Sequence, residues 1–104
     1  MKMVSLLNKK GVVNMKQKIY RANKLGESLG EAMIEKKSTN KLNLFVNDLN
    51  LKSSYDSVDN LIIICLQHNV DASVLIENLK SDDSTRKRLV AAVVAGAQKI
   101  INNK

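Results

Sequence analysis

The sequence contains no proline and no tryptophan, one cysteine, one histidine and only three aromatic residues. A single cysteine cannot form a disulfide within the chain, and one histidine offers little to a metal site or a catalytic triad. Three scattered aromatics are too few for a platform that stacks bases, which disfavours recognition of single-stranded nucleic acid. We therefore expect no catalytic residues, no metal and no cofactor, and a protein that is not an enzyme.

Long apolar runs are also missing. The longest, Leu61–Leu66 and Leu89–Ala97, fall far short of the roughly 18 residues that a membrane-spanning helix needs. The first apolar stretch is broken by Asn8, Lys9 and Lys10, so it does not fit a signal peptide. We expect a cytoplasmic protein with no membrane partner.

The positive charge is concentrated at the start of the chain. The net charge is +7 over 104 residues, yet the first 24 residues hold seven basic side chains and no acidic one, and the remainder is balanced. A chain of this length with 44% hydrophobic residues is expected to fold as one domain. The basic excess points to an anionic partner, for which duplex DNA is the leading candidate.

Residues 1–14 allow three interpretations. They could form a basic arm along phosphates, or an amphipathic helix on a membrane surface, which Asn8, Gly11 and the lack of an early aromatic disfavour. The third follows from the genetic code, because the codons of KKGVVN can contain a ribosome-binding site ahead of Met15. Residues 1–14 are thus a candidate non-native or disordered basic leader, and we expect residues 15–104 to form a single helical domain.

Apolar spacing in that domain predicts a mainly α bundle of four to five helices. Residues recur at helical intervals through segments 17–37, 53–69 and 81–104. Segment 41–47 is ambiguous, because Leu42, Leu44 and Val46 alternate as in a strand whereas Leu42, Phe45 and Val46 fit a helix. We favour helix there, with a single short strand as the alternative.

Small residues mark two segments for close packing. Gly26 and Gly30 lie four apart in the first predicted helix, and Ala92 and Gly96 lie four apart in the last. Each pair would let another backbone approach closely, although a helix broken near Gly26 would also account for the first pair. The Ala92–Gly96 strip, together with a strand at 41–47 that would lack a partner within the chain, leads us to expect a homodimer.

The segment HNVDASVLIENLK, residues 68–80, resembles the turn and second helix of helix-turn-helix DNA-binding proteins. Val70, Asp71, Ser73, Leu75 and Leu79 match the pattern. Residues 41–80 also resemble ribbon-helix-helix proteins, if 41–47 forms the ribbon. The sequence departs from the helix-turn-helix pattern at His68 and Asn78, where that family buries apolar residues. Two ordinary core helices joined by a capped turn would explain the same residues.

These observations favour a small DNA-binding protein of a plasmid or phage, either a repressor or a centromere-binding partition adaptor, that acts as a dimer. The alternative is a helical protein-binding module, such as an immunity protein, antitoxin or inhibitor, with an apolar groove. The segment STRKRL would seat a phosphate at a helix start, or form a solvated turn. The candidate DNA-binding residues are Lys16, Lys18, Arg21, Lys24, Ser73, Arg86, Lys87 and Arg88.

Overall fold

The computed structural model of the protein describes residues 14–51 and 55–103, and their side chains within 15–47 and 57–103. Within these ranges the chain forms five helices and no strand. The helices are α1 (Asn14–Glu35), α2 (Thr39–Leu51), α3 (Tyr55–Gln67), α4 (Ser73–Glu77) and α5 (Asp83–Asn102). The predicted mainly helical fold is confirmed. The predicted leader lies outside the described residues, apart from Asn14, at which α1 begins.

Segment 41–47 lies inside α2 and is helical. Leu42 and Phe45 are buried, while Leu44 is 70% exposed. A strand would have placed Leu42 and Leu44 on the same face, whereas three to four residues separate neighbours on a helix face. The strand alternative is therefore wrong, and this segment cannot form the ribbon of a ribbon-helix-helix protein.

The most extensive helix contact is between α1 and α5, which run parallel to each other. Gly26 lies against the backbone of Val93, and Gly30, one turn later, lies against the backbone of Ala97. Gly96 in turn lies against the backbone of Asn23 and Glu27. The absence of side chains at these three positions lets the two helix backbones touch. The predicted close approach is confirmed at both small-residue pairs.

This contact changes the meaning of the Ala92–Gly96 strip. The strip is covered by α1 of the same chain, and the Asn23 amide donates to the Ala92 carbonyl oxygen over 3.3 Å. It is therefore not open to a second copy. Since 41–47 is not a strand either, neither observation that led us to expect a homodimer survives, and a dimer needs a different surface.

Helix α3 lies between α2, α4 and α5 but is not enclosed. Leu61 and Cys65 are completely buried, and Val58 and Ile64 are nearly so. On its outer side Ile63 is 52% exposed and Leu66 is 63% exposed. The apolar character of the segment thus overstates its burial, and part of that apolar surface remains accessible.

The end of α3 and the start of α5 carry residue types that favour those positions. Asn69, two residues after the end of α3, has a φ of 57°, a left-handed conformation that asparagine tolerates better than most residues. Asp82 caps α5, with its carboxylate accepting the Thr85 amide at 3.3 Å and the Thr85 hydroxyl at 2.6 Å. These hydrogen bonds, chiefly the one from the Thr85 hydroxyl, hold the pKa of Asp82 below its usual value.

Replacing Gly96 or Gly26 by Ala should destabilise the fold, although helix propensity alone would favour Ala by about 1 kcal/mol. The added carbon would collide with a backbone carbonyl of the facing helix, and backbone cannot move aside as a flexible side chain can. We expect a loss of about 1–3 kcal/mol in the free energy of unfolding, measured by urea denaturation. Ala95→Ser, at the exposed neighbouring position, is the control. Stabilisation by Gly96→Ala would contradict the close contact.

Candidate nucleic-acid interface

The parallel packing of α1 and α5 brings two basic stretches to one end of the molecule. Because both helices start at this end, residues near 16–24 and residues 86–88 become neighbours. We call the cations Lys16, Lys18, Lys87 and Arg88 the basic end. Lys16, Lys87 and Arg88 are exposed, and Lys18 is half-buried. The sequence predicted each stretch separately, and the fold joins them.

Lys16 and Arg88 line a single open groove between the two helices. Its walls also include Ile19, Tyr20 and the partly buried Asn23. A lysine from one helix and an arginine from the other therefore flank the same surface depression. Cations on both sides of a depression suit a phosphate, to which arginine and lysine donate charge-assisted hydrogen bonds. Tyr20 and Asn23 are groove residues that the sequence did not single out, because nothing in the local pattern shows what faces them.

Two other candidate cations are partly neutralised. The Arg21 guanidinium lies 3.2 Å from the Glu77 carboxylate of α4, and both side chains are about half exposed. Lys24 lies 3.6 Å from the Glu27 carboxylate and 5.5 Å from the centre of the Tyr20 ring. Exposed pairs of this kind are weak and exchange readily with solvent. The pairs therefore leave both cations accessible, but the neighbouring carboxylates lower the local positive potential, so Arg21 and Lys24 are secondary to the basic end as phosphate contacts.

Arg86 is one of the candidate DNA-binding residues, a role that requires an exposed side chain, but it does not lie on the surface. Only 7% of the residue is accessible, because the side chain folds back over the start of α5. Its guanidinium donates to the Leu79 carbonyl oxygen and to the Asp83 carboxylate, each at 2.7 Å. Arg86 thus ties the α4–α5 connection to α5, while the adjacent Lys87 and Arg88 point outward.

The segment that resembles a recognition helix is short. Helix α4 has five residues, of which Val74 and Leu75 are buried. Ser73 is half-buried, and both its amide and its hydroxyl donate to the Asp71 carboxylate, at 2.9 and 3.2 Å. Because Ser73 already serves this turn, its side chain is a poor candidate for contact with DNA bases.

The two departures from the helix-turn-helix pattern are buried polar residues. Asn78 donates from its amide to the Val74 carbonyl oxygen at 2.6 Å and accepts a hydrogen bond from Ser81, so it closes the end of α4. His68 is 6% exposed, with Nε2 3.2 Å from the Ser38 hydroxyl oxygen, and Nδ1 has no hydrogen-bond partner among the described residues. Burial, followed by repulsion from Lys36 and Lys41, holds the pKa of His68 below its usual value.

Chemical reactivity is limited among the described residues. Burial, with a smaller contribution from the Asp71 charge, raises the pKa of the Cys65 thiol to about 11, so the thiol stays protonated and inert. No cluster of histidine, cysteine and carboxylate side chains there could hold a metal ion. No helix in the described ranges is long and apolar enough to cross a membrane.

Comparison with known proteins gives no relative. No protein-family model, no curated protein and no solved structure matches this chain.

Arg86 and Arg88 should behave as opposites when each is replaced by Ala. Arg86→Ala removes two hydrogen bonds and leaves the Leu79 carbonyl oxygen without this donor, so we expect a loss of about 1–3 kcal/mol in unfolding free energy. Arg88 is exposed, so Arg88→Ala should change the unfolding free energy by less than about 0.5 kcal/mol. Urea denaturation of both variants tests this difference, and equal stabilities would contradict the burial of Arg86.

The stability of the protein should fall as the pH drops through about 6.5, the ordinary pKa of histidine. The folded state holds the His68 pKa below that value, so the unfolded state takes up the proton first on acidification. Denaturation at a series of pH values from 7.5 down to about 5 measures the effect, and His68→Gln should remove it from this window.

Ser38→Ala is the matched control for that experiment. It removes the hydrogen-bond partner of His68 but keeps the buried ring and both lysines. The pH dependence should therefore persist in Ser38→Ala. His68 is the only histidine in the sequence. If the pH dependence is unchanged in His68→Gln, the effect belongs to carboxyl groups instead.

Proposed function

We propose that this protein binds duplex DNA by contacting phosphates with its basic end. The observation that carries the proposal is the groove in which Lys16 of α1 and Arg88 of α5 face the same depression. Lys87 and Lys18 extend the positive charge to either side. Phosphate neutralisation by lysine and arginine supplies most of the affinity of sequence-independent DNA binding.

The proposed contact positions the protein on the duplex rather than reading its sequence. Helix α4 offers a groove-reading surface of one to two turns, and its Glu77 is a carboxylate paired with Arg21. Backbone contacts fix register and orientation but carry no base information directly. A repressor or partition adaptor would therefore need a second DNA contact, and a symmetric dimer would supply one by doubling the basic end.

A helical protein-binding module is the second candidate, and a different surface favours it. Leu44 on α2 and Ile63 on α3 line an open apolar groove together with Phe45 and Ile64. An immunity protein, antitoxin or inhibitor would use such a groove to receive an apolar segment of its target. Indifference to DNA in the experiment below would favour this candidate.

The DNA proposal is tested by fluorescence anisotropy with a labelled random duplex over a series of salt concentrations. Log affinity should fall linearly with log salt, because phosphate binding releases counterions. Lys16→Ala and Arg88→Ala should each reduce the slope by about 0.9, the contribution of one phosphate. Both side chains are exposed, so folding should be retained.

Lys99→Ala is the matched control, because Lys99 is exposed on α5 and its loss changes the net charge equally. Lys99 lies in the last turn, far from the basic end, and its replacement should leave the slope unchanged. Equal effects from Lys99→Ala and Arg88→Ala would mean that only overall charge matters. If Lys16→Ala and Arg88→Ala both keep the parental slope of log affinity against log salt, the basic end is not the DNA contact.

A further inference from the structure

The outer side of α2 and α3 carries apolar surface that the described chain leaves uncovered. Leu44 is 70% exposed, Ile63 52% and Leu66 63%. Leu44 and Ile63 line one groove, and Leu66 follows Ile63 by three residues on the same side of α3. We call Leu44, Ile63 and Leu66 the α2–α3 surface. A cluster of large exposed aliphatic side chains is typical of a surface that associates with another protein.

The two helices run in opposite directions along this surface. Lys41, near the start of α2, donates from Nζ to the Gln67 side-chain oxygen at 3.1 Å, and Gln67 is the last residue of α3. Leu44, one turn further along α2, lines the groove with Asn60 and Ile63 of α3. The exposed leucine and isoleucine therefore lie in the middle of a surface bounded at both ends by polar residues.

The two ends of the α2–α3 surface carry charges of opposite sign. Lys41 stands at one end, and the exposed Asp59 stands near the other, eight residues before Gln67 on α3 or about 12 Å along the helix. Between and beside them lie neutral amides, including Asn43, Asn47 and Gln67, which are exposed. A surface with an apolar centre, one positive end and one negative end is complementary to itself.

We propose that a second copy of this chain docks on the α2–α3 surface. In a two-fold symmetric interface residue i contacts j while j contacts i. A two-fold axis that crosses the line from Lys41 to Asp59 sets each lysine against the partner copy's aspartate, and the aliphatic side chains of the two copies meet between them.

The proposed dimer would serve DNA binding by doubling the basic end, but its formation requires no DNA. Self-association is therefore measured without nucleic acid, so failure of the dimer and failure of DNA binding are separate results. We expect a weak dimer, with a dissociation constant on the order of 10 to 100 µM, because the apolar centre consists of three exposed aliphatic side chains. Sedimentation equilibrium of the full chain should show the mass rising from 11.6 kDa towards twice that value.

The apolar contribution is tested with a pair of isoleucines of equal exposure. Ile63 and Ile76 are each 52% exposed, but only Ile63 lines the groove. Ile63→Gln should weaken the dimer about tenfold, whereas Ile76→Gln, on α4, should leave the dissociation constant unchanged. Circular dichroism checks that both variants keep the helical fold. Equal weakening by the two variants would overturn the assignment to the α2–α3 surface.

The symmetry is tested by exchanging charges. Lys41→Glu places two carboxylates opposite each other in the dimer, and Asp59→Lys places two ammonium groups together. Because the two-fold axis repeats each clash, either single variant should weaken the dimer roughly tenfold. The double variant restores opposite charges and should return the dissociation constant to near the parental value.

Two results would overturn the proposal. Parental dimerisation in both single charge variants would place the interface elsewhere on the molecule. If the protein stays monomeric at a concentration about ten times the expected dissociation constant, a second copy does not occupy this surface. The surface would then be open to a different protein.

Discussion

The packing of α1 on α5 is the constraint on which the rest of the structure depends. Three glycines, Gly26, Gly30 and Gly96, present no side chain where the two helices meet, so at these positions backbone lies against backbone. This contact is the most extensive in the fold. It fixes the relative position of the two longest helices along their axes, because a shift of one turn would bring side chains of neighbouring residues into the same space.

That register determines where the charges lie. With α1 and α5 parallel, their starts fall at the same end, and the basic residues of both starts gather there. An antiparallel arrangement would have separated Lys16 from Arg88 by the length of a helix. The basic end is therefore a consequence of helix direction, and the phosphate-binding proposal depends on the glycine contact as much as on the cations.

The shorter helices fill the remaining side of this pair, and they do so with polar as well as apolar contacts. Arg86, His68 and Asn78 are buried, and each bonds to a neighbouring turn or connection. A buried polar group requires hydrogen-bond partners, so these residues specify how the connections run. Burial of polar groups here coexists with exposure of Leu44, Ile63 and Leu66, which is the opposite of what their hydropathy alone would give.

The sequence by itself determined the helical class and the approximate positions of the helices, because periodicity is a local property. It offered several capping residues ahead of α5, of which the structure uses Asp82. It also marked Gly26, Gly30, Ala92 and Gly96 as sites of close packing, but not that they pack against each other. Only the tertiary structure decided that α1 covers the strip on α5, that Arg86 is buried beside the exposed Arg88, and that α3 keeps an open apolar side. The cover over α5 and the open side of α3 depend on contacts between residues far apart in the chain, and no local pattern states which distant residue will lie opposite. The burial of Arg86 depends on the path of the α4–α5 connection, which brings the Leu79 carbonyl oxygen to its guanidinium.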